Sequence, residues 1–224
     1  MRAVGPARRG SVVGDNRRME QVDHLVYAAP ELEAVGARGS AGRAGGGRGA
    51  HPNEGTRNYL MGLGPRVYLE IVGPDAEAGA PSRPRWFQID TLVEPRLVAW
   101  AARVEGLDAV VANAAAGGVR LGAVAAGGRE TAEGRRLSWR FTDPRVAAEG
   151  GVVPFLIDWG QTPHPALSAP RGAILEGLRA EHPEPERARR AVEILGLDLP
   201  VAIGRRSALI ATIRTPRGEV IELR

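Results

Sequence analysis

The chain has four histidines, His24, His51, His164 and His182, and no cysteine. His24 opens the apolar run Leu25-Val26-Tyr27-Ala28-Ala29, where an imidazole either bonds the backbone or faces a site. Glu70 interrupts Val67-Tyr68-Leu69-Glu70-Ile71-Val72. An unpaired buried carboxylate is costly, so Glu70 lies either on a solvent-facing pleat or in a cavity beside His24, a metal or an arginine. Glu222 poses the same alternative in Val220-Ile221-Glu222-Leu223. His164 lies in Thr162-Pro163-His164-Pro165, just after Asp158-Trp159-Gly160. Such a stiff loop either presents Asp158 and His164 to a ligand or fixes a connection. His182, before Pro183, reads as a capping residue, and His51 as an exposed one. Arg103 shares a strand face with Ala99 and Ala101, as an anion hook or as half of a surface salt bridge. Trp86, Trp100, Trp139 and Trp159 stand out among few aromatics. They either line an apolar pocket or, more commonly, fill a core.

Several chemistries are excluded. Without cysteine there are no disulfides, cysteine-ligated metals or thiol nucleophiles. Gly45-Gly46-Gly47-Arg48-Gly49 lacks a flanking strand and helix and is no phosphate loop. No nucleophile elbow or Rossmann fingerprint is present. All 30 basic residues are arginine. Arg2, Arg8, Arg9, Arg17 and Arg18 against Asp15 account for the whole +4, so the remainder is neutral and offers no basic face for nucleic acid. There is no apolar run of about 20 residues, so no membrane helix is expected. The arginine, alanine and glycine usage suits a GC-rich bacterial genome, and the expected location is the cytoplasm.

The elements that must position these residues follow from period and punctuation. Residues 1–18 show no period and read as a disordered leader before Met19. Residues 21–29 form a strand and 30–34 a helix start. Residues 36–49 lack any large apolar side chain and read as a flexible loop or degraded helix. Strands are expected at 58–63 and 66–72, and a proline-rich connection over 73–96. A second set comprises a strand at 97–104, a helix at 107–116 and strands at 121–126, 136–142 and 152–159. After a loop over 160–172, a third set has a strand at 173–180, a helix at 184–195 and strands at 199–203, 209–215 and 219–223. The divisions are a first module plus linker over 19–96, a second plus loop over 97–172 and a smaller third over 173–224.

Strand–helix–strand–strand–strand is thus read three times, the first time with one strand unassigned, the signature of repeated units. With Asp23-His24-Leu25-Val26-Tyr27-Ala28-Ala29-Pro30 as an opening and Pro216-Arg217-Gly218-Glu219-Val220-Ile221-Glu222-Leu223 as a closing motif, the chain resembles the vicinal oxygen chelate superfamily. It most resembles the family known as glyoxalase-like domain, also through Val67-Tyr68-Leu69-Glu70 and Pro154-Phe155-Leu156-Ile157-Asp158-Trp159-Gly160. The resemblance implies an α+β fold in which βαβββ modules form curved mixed sheets around a cavity, with modules one and two paired. It implies a divalent metal (Mn, Fe, Ni or Zn) held by His24 and Glu70, with Glu70 also catalytic. It puts Ala99 at the second module's counterpart of His24, and Pro154 or Phe155 at that of Glu70, so half of the ligand set is missing. Trp100, Arg103, Phe155, Asp158 and His164 are expected near a substrate. Three functions compete: a metal-dependent lyase, isomerase or dioxygenase, a metal-free protein that sequesters a small molecule, and a structural or assembly protein whose cavity is filled by side chains. The expected partners are a small-molecule ligand and a second copy as a homodimer, with neither nucleic acid nor membrane.

Overall fold

The computed structural model describes residues 20–38, 48–130, 136–146 and 148–224. The expected leader and most of the glycine-rich stretch lie outside them. Alternation of apolar residues builds the first module. Strand β1 (Val22–Ala28) is followed by the short helix α1 (Leu32–Arg38), then β2 (Arg48–His51), β3 (Thr56–Gly64) and β4 (Val67–Pro74). The second module repeats the order with β5 (Arg96–Arg103), α2 (Leu107–Ala116), β6 (Val124–Glu130), β7 (Arg136–Thr142) and β8 (Phe155–Asp158). The third comprises β9 (Ile174–His182), α3 (Pro185–Ile194), β10 (Val201–Ile203), β11 (Ala208–Arg214) and β12 (Val220–Leu223).

Modules one and two share one wiring and one curved, mixed, eight-stranded sheet, ordered β2-β3-β4-β1-β5-β8-β7-β6. In each, the first strand lies parallel to the last: β1 to β4 and β5 to β8. The antiparallel seam β1–β5 joins the halves. The third module keeps the element order but not the wiring. Its separate sheet runs β10-β9-β11-β12, so its first strand lies parallel to its second. The expected strands are present with shifted ends, and β2 is an addition. Its Gly49-Ala50 carries no apolar signal, and a backbone ladder to β3 holds it at the sheet edge.

The two faces of the large sheet do different work. The outer face presents Val22, Leu25, Leu69, Ile71, Trp100 and Leu156, which pack into one core with Leu32 of α1 and Leu107 of α2. The third module continues the same core through Leu175, Leu178, Leu209 and Ile213. The inner face encloses the cavity. Among the described residues no helix is long and apolar enough to cross a membrane.

Candidate active site

Strand alternation brings His24 of β1 and Glu70 of β4 to the inner face. The ladder pairs His24 with Tyr68 and Val26 with Glu70, so the two side chains lie diagonally across neighbouring strands. His24 Nε2 and Glu70 Oε2 stand 3.7 Å apart, too far for a direct hydrogen bond. Glu70 Oε1 accepts a hydrogen bond from Asn58 Nδ2 of β3 at 2.6 Å. Tyr68 stacks on the imidazole, with ring centroids at 4.5 Å, and Phe155 meets it edge-on at 5.4 Å.

Behind His24 lies a residue that the sequence reading passed over. Strict alternation turns Asp23 to the outer face, away from its neighbour. Instead, the β1–β5 register slips between Val22, paired with Ala102, and His24, paired with Ala101. Asp23 is the extra residue of this bulge, and such irregularities re-aim side chains. Its fully buried carboxylate accepts from His24 Nδ1 at 2.7 Å through Oδ1. Oδ2 accepts from His164 Nε2 and Trp159 Nε1, both at 3.0 Å. Because a carboxylate only accepts, both imidazoles donate to it, which turns the His24 Nε2 toward Glu70. His164 Nδ1 in turn accepts from the Ala166 backbone N–H. Burial pushes the Asp23 carboxyl up, but the hydrogen bonds from His164 and His24 outweigh it and hold the group far below the usual carboxylate range.

The walls are aromatic. Seven of the chain's ten Phe, Trp and Tyr residues line this one cavity: Tyr68, Trp86, Phe87, Trp139, Phe141, Phe155 and Trp159. Three of the four tryptophans therefore serve the pocket rather than a closed core. Trp139 lies flat on its cross-strand partner Gly127, where a Cβ would sit 2.3 Å from Nε1. Trp86 and Phe87 come from the proline-rich connection, which forms a strap over the cavity. Arg85 pins the strap through Asp90 at 2.6 Å and the Gly55 carbonyl. Arg145 holds it from the other side, bonding the Pro84 carbonyl, pairing with buried Glu54 and lying over the Trp86 ring. Phe87 and Gln88 both adopt left-handed backbone (φ 57° and 56°), which costs on the order of 1 kcal/mol or more each. His51, expected at the surface, lines the cavity beside Trp86. A volume of about 60 Å³ remains inside.

The remaining candidates divide. His164 joins the polar floor through Asp23. Arg103 lies 3.5 Å from Asp23 and bonds the Arg66 and Glu20 carbonyls. Trp100 is a correction: it points to the outer face, where its ring fills the core and Nε1 donates to the Val152 carbonyl at 2.8 Å. It follows the outer parity of Ala102, whereas Ala99 and Ala101 face inward. Asp158 accepts from the Gly106 and Gly160 backbone N–H groups, which fixes the start of α2 and the turn after β8. Glu222 pairs with Arg179 in the third module's sheet.

A divalent ion in this family fold would draw donors from both modules. The Val26–Glu70 pairing of module one corresponds to Ala101–Phe155 of module two, which makes Phe155 the counterpart of Glu70. Opposite His24 and Glu70 thus stand Ala99 and a phenyl ring, neither able to ligate. Among the described residues no three His, Asp or Glu side chains are placed to hold a metal ion together. Catalytic sites for such ions use about three protein donors, so these residues do not fit a resident one.

A sequence model for the family described as glyoxalase-like domain matches residues 22–196. No curated protein matches the sequence. A hypothetical protein from Staphylococcus aureus has a TM-score of 0.57 at 11% identity, over 90% of this chain and 97% of its own. Methylmalonyl-CoA epimerase from Mycobacterium tuberculosis aligns over 62% of this chain and 88% of its own, at 20% identity and a TM-score of 0.40. The first likeness is one of fold, and the second is too loose to carry an argument.

Proposed function

The chain belongs to the glyoxalase-like domain family, and on that premise we propose that it binds a small molecule in the aromatic cavity between modules one and two, without a resident metal ion. One observation carries the reading: His24 Nε2 and Glu70 Oε2 converge to 3.7 Å at the floor of a cavity lined by seven aromatic rings. Ligand sites combine apolar walls with a few placed polar groups in this way. The space is small. An apolar cavity that takes benzene measures about 150 Å³, against about 60 Å³ here. The enclosed part of the ligand is therefore smaller than benzene, or Trp86 and Phe87 shift to admit more.

The Asp23–His24 hydrogen bond favours a second reading of the same cavity, as an acid–base enzyme. A buried carboxylate that holds one imidazole nitrogen leaves the other poised to take a proton. Glu70 supplies a second acceptor on the far side of the gap. A proton carried by a ligand between them is within reach of both.

The test is thermal stability and tryptophan fluorescence against a panel of small alcohols, ketones and amines. Leu60→Trp, which fills the cavity from β3, should abolish binding while leaving the far-ultraviolet circular dichroism unchanged. Binding that survives the filling substitution, or no binding across the panel, sinks the proposal.

A further inference from the structure

We propose that the group held in this cavity is a small organic cation, a protonated or methylated amine. The inference rests on the cavity's being a small-molecule site and adds the chemical class of its occupant.

The first observation is a missing counter-charge. Glu70 is only 8% exposed. Its Oε1 is engaged by a neutral amide, its Oε2 stands 3.7 Å from His24 Nε2, and among the described residues no arginine pairs with it. Arg103, the arginine of the polar floor, is committed to Asp23 and two carbonyls. A buried carboxylate without a cation is expensive, and a ligand cation removes that cost.

The second observation is an orphaned acceptor. Asn58 is 6% exposed and lines the cavity, and its Oδ1 has no hydrogen-bond partner among the described residues. The amide cannot turn to hide this atom, because Nδ2 must face the Glu70 carboxylate. Oδ1 therefore calls for a donor. An N–H group beside Glu70 satisfies the amide oxygen and the carboxylate together.

The walls point the same way. Tyr68, Trp86, Phe141, Phe155 and Trp159 line the cavity. Ring faces attract cations, most strongly where water is excluded. An anion would meet a carboxylate and negative π faces. A neutral alcohol would satisfy Asn58 but leave Glu70 without a counter-charge. His24 and His51 are the other titratable groups on the cavity. His24 already commits its Nδ1 proton to Asp23, and His51 Nδ1 lies 3.1 Å from Thr56 Oγ1. The volume suits a methylammonium head as it stands and a trimethylammonium head once Trp86 and Phe87 shift, with the rest of a longer molecule leaving by the mouth.

The experiment compares trimethylammonium, tert-butanol of nearly the same shape, and acetate, by calorimetry and tryptophan fluorescence on the full chain. The expected result is trimethylammonium binding about tenfold or more tighter than tert-butanol, with no acetate binding. Glu70→Gln should erase that preference. Trp86→Leu, which leaves the polar floor intact, should weaken the amine more than the alcohol. If tert-butanol binds as well as the amine, or Glu70→Gln keeps the preference, the cation assignment is overturned and the small-molecule reading stands. If neither binds, both are overturned.

Discussion

Asp23 shows how much a single residue can organise. It orients His24, anchors the His164 loop and ties Trp159 to the floor. Because its pKa is depressed in the folded chain, its contribution to stability is fully present above the unfolded value of about 3.9 and is lost as pH falls below it. Asp23→Asn should cost on the order of 3 kcal/mol in urea unfolding at neutral pH. The variant should also lose part of the steep fall in stability that the parent shows below about pH 4. Equal acid sensitivity in both proteins would mean that other carboxylates dominate. His24 and Glu70 were legible in the sequence because each is a polar residue inside an apolar strand. Asp23 was not, because a two-residue period assigns neighbours to opposite faces and says nothing of a bulge. Asn58 and His51 were hidden for another reason. Their value comes from the side chains opposite them, which only the register supplies.

At the scale of elements, periodicity and punctuation located most strands and helices, and α2 and β7 fall where the pattern put them. Wiring was less legible. Three identical element orders read as three copies, yet the third pairs its first strand with its second rather than its fourth. Order alone cannot separate these, since either pairing buries the same alternating faces. Strand β2 escaped notice because its stability lies in backbone hydrogen bonds and not in its side chains. The shared wiring of modules one and two has a testable corollary. If Ala99 and Phe155 are the counterparts of His24 and Glu70, Ala99→His with Phe155→Glu should complete a four-donor site. Elemental analysis after dialysis against nickel or zinc should find about one ion per chain in the double variant and none in the parent. A double variant that folds and stays metal-free would refute the assigned equivalence.

The whole molecule is held by a core that does not respect its modules. Leu178 and Ile213 of the third module pack in the same cluster as Leu25, Leu69 and Trp100 of the large sheet. Unfolding should therefore be a single cooperative transition, coincident by circular dichroism and tryptophan fluorescence. Ile213→Ala should lower its midpoint, at a cost of about 2–4 kcal/mol. Two resolved transitions would show that the third module melts alone. The reach of Asp23 across the chain also bears on the order of folding. Its partners Trp159 and His164 lie 136 and 141 residues away. Contacts so distant in sequence close late, after local hairpins have formed. A nascent chain that has built only β1 to β4 carries a hydrated Asp23 at its sheet edge. The carboxylate leaves water only when β5 and β8 arrive, so completion of the polar floor belongs to the last stage of folding, and with it the capacity to hold a ligand.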